Sequence, residues 1–438
     1  MQPAAVSGSV SNATLFRGLG RLDIVALTLN NIVGAGIFTM PAALAAGAGG
    51  WSVAVLLLTV GMVAIMALCT IEVASRYDVT GGPMYYAGVA FGPSAGFVVG
   101  WLMYLSRLSA FGALATIMLD YASGLWPGLS TFAARTCAIT AFVGAIAAIN
   151  LRGLVQGARM INTLTVIKGL PLVLLAIAGM CLSPWTSVPS TGPSSLSALS
   201  GAALVAFFAC MGFEQATVVS GEARDLRRDL PVGLLGGVLV AGALYILLLL
   251  TCFATVANLA QSTRPLADAA ATLAGGAGAT VVLWAAVISC AGNLSGWMMA
   301  SPRILYALAA QGDMPRALAA VHPIRRIPGP AIMVSAILVW LITVSGTFVY
   351  LATFSALARL LTYASTCAAL IVLRRDAGPA PIPIPQGRFL AVVALTATSI
   401  ALLSTTSVAL RDLSIMVGFG VIARAVVRRW RPIAIACV

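Results

Sequence analysis

The sequence predicts an all-α polytopic membrane protein of twelve transmembrane helices, the first and sixth of them broken in mid-span. Three observations predict it. Of 438 residues, 60% are hydrophobic and 8% charged, whereas a soluble domain carries roughly a quarter of its residues charged. The apolar positions number about 263, against the ~240 that twelve spans of about 20 residues require. The cations also fall on one set of loops, as they do on the cytoplasmic side of membrane proteins.

Apolar runs bounded by charges or Gly/Pro clusters place the spans at 22–46, 51–75, 94–122, 130–150, 159–181, 200–222, 232–256, 279–310, 329–348, 349–373, 389–410 and 412–428. An even count puts both termini on one side. Of the 25 cations, Arg107, Lys168 and Arg359 lie inside spans, and Arg135, Arg264 and Arg411 lie on the outer side. The other nineteen are then cytoplasmic, so both ends are expected in the cytoplasm, with the chain in the cytoplasmic (inner) membrane. The net charge of +13 therefore reflects topology. Aromatic-interleaved basic patches of the nucleic-acid kind are absent, and no nucleic-acid partner is expected. The eight cysteines are scattered without a CxxC pair, which suits small buried hydrophobes and no metal. The Asn293-Leu-Ser295 sequon falls inside span 8 and is read as a chance match.

Span 1 carries Asn30-Asn31-Ile32-Val33-Gly34-Ala35-Gly36-Ile37-Phe38. Two glycines in mid-span weaken the helix and free backbone N–H and C=O groups. At bilayer depth such groups are tolerated only around a polar cavity. Span 6 carries Phe207-Phe208-Ala209-Cys210-Met211-Gly212-Phe213-Glu214, with an acid after a lone glycine. Interrupted helices at matching positions in two halves point to a midplane binding site. A side chain at Gly36 is then expected to abolish binding while leaving folding largely intact.

These motifs carry a resemblance over nearly the whole chain. Val33 to Phe38 is similar to the GxGIF signature of the amino acid–polyamine–organocation superfamily of permeases, and Phe207 to Glu214 to its sixth-helix FFxxxGFE stretch. Glu222 to Pro231 resembles ExxNPxRDIP, departing at Asp225-Leu226, and Ser301 to Pro315 resembles the end of the eighth helix. The resemblance implies a LeuT-type 5+5 inverted repeat: a tail 1–21, repeats 22–181 and 200–373, two peripheral helices 389–428 and a tail 429–438. It implies amino acid or amine substrates and no cofactor. A substrate carboxylate would meet N–H groups at Val33, Gly34, Ala35 and Gly36, and its ammonium the carbonyls of Phe208, Ala209 and Cys210. Helix N-termini favour anions and C-terminal carbonyls cations.

The intramembrane polar residues come next. Lys168 is the chain's only lysine and sits in mid-span, where a charge costs roughly 2.5–3.5 kcal/mol. A desolvated lysine can lose its proton near neutrality, which suits proton coupling. The resemblance places Lys168 where related transporters bind sodium. Glu214 is a second proton-coupling candidate or a cap on the broken helix. Arg107 and Arg359 need intramembrane partners, and Glu214 is the candidate for Arg107. The resemblance makes Phe208 and Trp297 an aromatic gate. It also sets Phe111 and Ala115 where arginine–agmatine exchangers carry polar side chains, which argues for a neutral substrate side chain.

The expected function is a secondary active amino acid transporter working by alternating access, with proton symport ahead of exchange and polyamine or organic amine transport as an alternative. Its expected partners are the substrate, protons, the lipid bilayer and a second copy of the chain as a homodimer. A channel would need a repeated polar pore lining or charged rings. An enzyme would need paired carboxylates, a His cluster or a nucleophile with its base. None of these is visible, and no catalytic residue is assigned.

Overall fold

The computed structural model describes residues 21–34, 36–77, 82–152, 158–183, 192–193, 195–214, 217, 226–325, 327–405 and 407–429. Among the described residues all long elements are helices and there is no strand. Among these residues six helical runs are long and apolar enough to cross a membrane, or seven if the last two bent helices form one span. Shorter apolar helices lie at Lys168–Leu182, Leu196–Cys210 and Gly329–Ser345.

The first predicted span is two helices, α1 (Arg21–Ile32) and α2 (Gly36–Ala48). There follow α3 (Ser52–Ala74), the short α4 (Gly82–Phe91) and the long α5 (Pro93–Leu125). Gly92, at φ 90°, turns the chain so that Pro93 can open α5. Its fixed φ suits a first helical turn. The Thr131 hydroxyl caps α6 (Phe132–Leu151) by accepting from the Ala134 N–H. Next come α7 (Ala158–Leu182) and α8 (Leu196–Cys210), the latter capped by Ser195. The second half of the chain holds α9 (Leu226–Thr255), α10 (Pro265–Ala310), α11 (Gly329–Ser345), α12 (Phe348–Asp376), α13 (Gly387–Leu403) and α14 (Ser407–Arg429).

The break expected in predicted span 6 lies after Cys210, where Met211 turns to extended backbone. Other boundaries differ from the sequence reading. Helix α9 starts at Leu226 rather than 232, because Asp229 finds Arg21 at 3.1 Å on α1 and so tolerates a place in the helix. Helix α13 ends at Leu403 rather than 410 and α14 begins at Ser407 rather than 412, the pair bent by 111°. In addition, α10 bends at Ala274–Gly275, where Gly275 has φ 65°. Its Pro265–Leu273 part therefore turns away from the predicted span.

Helix α5 is the central post, buried almost continuously from Gly96 to Ala122 and packed by α12, α10, α4 and α11. Helix α1 lies on α9, and α2 on α8. Two buried charge clusters fasten the remaining helices. Glu72 on α3 takes both forks of Arg374 on α12 and the Ile384 N–H, strapping the 377–386 loop. Asp313 takes Arg424 at 2.9 Å and Arg428 at 2.8 Å from α14, while Arg424 lies over the Phe97 ring. Paired, hydrogen-bonded charges of this kind are the tolerable way to bury them.

Candidate functional site

The two broken helices meet. An ideal Cβ on Gly36, at the start of α2, would lie 2.4 Å from the Ala209 Cα on α8. Gly212 returns the contact: it holds φ 120°, and a Cβ there would lie 2.6 Å from the Asn31 carbonyl oxygen of α1. Glycine is required at both places, at Gly212 doubly so, because side chains disfavour that φ. The expectation that Gly36→Val spares the fold is therefore corrected. The missing side chain at Gly36 is a condition of helix contact.

Tyr245 on α9 ties the breaks together. Its hydroxyl reaches the Ile32 carbonyl at 2.8 Å and the Ala209 carbonyl at 3.2 Å. Ile32 ends α1, and Ala209 is one residue from the end of α8, where carbonyls lose their helical partners. The Val33 N–H donates to Leu29 O and the Gly34 N–H to Ile32 O, each at 2.7 Å. Two of the N–H groups assigned to a substrate carboxylate are thus engaged by backbone. The first turn of α2 from Gly36 leaves its own N–H groups without intrahelical acceptors. Ala35 lies outside the described residues.

Between the breaks is a narrow cavity of about 20 Å³, room for about one water molecule. Helix α1 and the break give Asn31, Ile32, Gly34 and Gly36; α5 gives Ala110 and Leu114; α8 and its break give Phe208, Ala209 and Met211. Trp297 of α10 and Arg359 of α12 complete it. Gly34, Gly36, Phe208, Ala209 and Trp297 are thus brought together as expected. Val33 and Cys210 are buried beside them but outside that lining. Phe208 packs edge-on against Phe348 of α12, ring centroids 6.2 Å apart. Phe111 and Ala115 are buried elsewhere on α5, and Ala110 and Leu114 take the lining positions. One residue along a helix rotates a side chain by about 100°, so an off-by-one register swaps the face.

Glu214 follows the α8 break and is 3% exposed. It takes the Arg359 guanidinium at 2.9 Å and the Tyr363 hydroxyl, both from α12. Arg359 also donates to the Ser106 hydroxyl of α5 at 3.1 Å. The sequence reading named Glu214 as a candidate partner of Arg107, with Arg359 in a similar position. Arg107 lies in electrostatic range of Glu214 and Arg359, but Arg359 makes the ion pair. Spacing along separate helices could not decide which arginine faces α8. Removing one partner of such a buried pair costs about 3–5 kcal/mol.

Lys168 is 2% exposed. Its ammonium donates to the Asn30 carbonyl of α1 at 2.6 Å and to Asn293 Oδ1 of α10 at 3.2 Å. The expected tie to helix-1 carbonyls beside Gly34 is therefore present. Sequence reasoning missed Tyr245, Tyr363 and Asn293, and its only remark on Asn293 was the sequon. A polar side chain in a predicted span was the available signal. Among the described residues no group of His, Cys, Asp and Glu could hold a metal ion.

Comparison with known proteins agrees with this architecture. The amino acid permease family model matches residues 19–428. An uncharacterised transporter of Mycobacterium tuberculosis is 28% identical over 376 residues, 83% of this chain and 82% of the relative. A methylthioribose transporter of Bacillus subtilis is 26% identical over 74% of each chain. A serine/threonine exchanger of the same organism is 26% identical over 73% of this chain and 74% of its own. Those relatives are transporters and not enzymes. With a family model spanning nearly its whole length, the chain belongs to the amino acid permease family, within the amino acid–polyamine–organocation superfamily.

Proposed function

We propose that the protein is a secondary active transporter carrying an amino acid with an uncharged side chain across the cytoplasmic membrane by alternating access. In this reading the chain has twelve spans, with repeats 22–181 and 200–373 in a LeuT-type inverted arrangement, helices 389–428 at the periphery and both ends cytoplasmic. The observation that carries it is the cavity between the α1–α2 break and the α8 break, lined by Phe208 and Trp297. The N-terminus of α2 offers unpaired N–H groups and positive dipole to a carboxylate. The end of α8 offers carbonyls to an ammonium. The Ala110, Leu114, Phe208 and Trp297 wall carries no carboxylate to pair a cationic substrate side chain. Proton symport is supported by Lys168, a buried lysine tied to the α1 break. Exchange is the second reading, supported by the likeness to a serine/threonine exchanger.

The test is counterflow in proteoliposomes, with each of the twenty amino acids competing against a labelled one. Neutral amino acids should compete and arginine should be among the weakest. Arginine as the strongest competitor overturns the reading of the cavity. Flux that neither saturates nor shows counterflow indicates a channel.

A further inference from the structure

Asn293 is 7% exposed on α10, and its two amide atoms have different fates. The atom facing Lys168 must be the oxygen, because an ammonium only donates. Oδ1 is indeed 3.2 Å from the Lys168 Nζ. That leaves Nδ2 pointing the other way, buried, with no hydrogen-bond partner among the described residues. It points at the helix-1 break: an ideal Cβ on Gly34 would lie 3.1 Å from it. Gly34 lines the cavity, and so does Trp297, which is one turn further along the same face of α10. An unpartnered buried donor costs about 1–3 kcal/mol unless something accepts from it. The Val33 and Gly34 N–H groups beside it are themselves donors, to Leu29 and Ile32 carbonyls, and cannot accept from it.

We infer that Asn293 is a substrate-binding residue: its Nδ2 donates to the substrate carboxylate above Gly34, while its Oδ1 registers the charge state of Lys168. This rests on the transporter reading above. A charged Lys168 holds the oxygen on its own side and so keeps the donor aimed at Gly34, on the cavity's edge, although Asn293 itself stands outside that lining. A neutral amine can also accept a hydrogen bond, so it no longer enforces that orientation. A turned amide would present its oxygen to the carboxylate and repel it. Proton and carboxylate thus favour each other through one side chain, and coupling of this kind is reciprocal. Substrate affinity therefore rises as pH falls and Lys168 becomes charged. The groups facing Lys168 are the Asn30 carbonyl from α1 and the Asn293 amide and Cys290 thiol from α10. From α9, Tyr245 is committed to the Ile32 and Ala209 carbonyls. Glu214 is committed to Arg359 and Tyr363.

The experiment compares amino acids with the amines that lack only the carboxylate: serine with ethanolamine, alanine with ethylamine, leucine with isoamylamine. Binding to purified wild type, Asn293→Leu and Asn293→Asp is measured by thermal shift and isothermal titration between pH 5.5 and 8.5. Wild type should prefer the amino acid over its amine, more strongly at low pH. Both variants should lose about 10- to 100-fold of that preference, the value of a hydrogen bond to a charged group, and its pH dependence should flatten. Asn293→Asp keeps an acceptor for Lys168, so it guards against simple misfolding. An unchanged preference in Asn293→Asp or Asn293→Leu overturns the assignment while leaving the transporter reading in place. A wild type that binds none of the pairs, nor any other amino acid, overturns both.

Discussion

Gly36→Ala is the smallest change that probes the meeting of the two broken helices. The added Cβ would lie 2.4 Å from the Ala209 Cα, 2.6 Å from its Cβ and 3.1 Å from its N. Ordinary contact begins at 3.4 Å, so α2 must retreat from α8 by about 1 Å. The obstacle is backbone, which cannot rotate aside as a flexible side chain can. Overpacking of this kind costs typically about 1–3 kcal/mol, and here it also opens the cavity wall that Gly36 and Ala209 share. The variant should lose thermal stability in detergent and bind its best amino acid at least tenfold more weakly. Gly61 of α3, with open space where its Cβ would be, supplies the control: Gly61→Ala should lower neither quantity and, by favouring the helix, can only raise the melting temperature. Wild-type melting temperature and affinity in Gly36→Ala would refute the argument that these helices touch at the break.

Two further outcomes follow from the same geometry. Tyr245→Phe removes the hydroxyl that reaches the Ala209 carbonyl and, beside the Gly34 N–H, the Ile32 carbonyl; at about 1–3 kcal/mol for an unpaired buried group, it should lower the melting temperature and slow counterflow, while unchanged counterflow would show that the two carbonyls need no tie. Lys168→Ala should keep exchange or counterflow but lose proton-driven accumulation, and Lys168→Arg, permanently charged, should also lose accumulation; uptake by either variant matching wild type under an inward proton gradient makes Lys168 a strut only.

How much was legible in the sequence depended on whether a signal was local. The broken helices were legible because glycine inside an apolar run is a backbone property of those residues, and the structure interrupts the helices at Ile32–Gly36 and after Cys210. The isolation of Lys168 was legible because charge in a predicted span needs no partner to be noticed. The family was legible because its motifs are short and stand in order. Pairing was another matter. Two arginines on different helices compete for Glu214, and only the rotation of α12 against α5 and the α8 break gives it to Arg359. The same rotation puts Ala110 and Leu114, not Phe111 and Ala115, on the cavity. Helix phase is set by packing along the whole interface, which one residue's identity does not reveal. Tyr245 and Asn293 looked like ordinary polar residues in apolar helices until three distant segments converged on them. The sequence by itself determined the membrane class, the two breaks and the residues whose burial demands a partner. The tertiary structure alone decided who the partners are, because a hydrogen bond depends on a few tenths of an ångström between chain segments that sequence spacing leaves free.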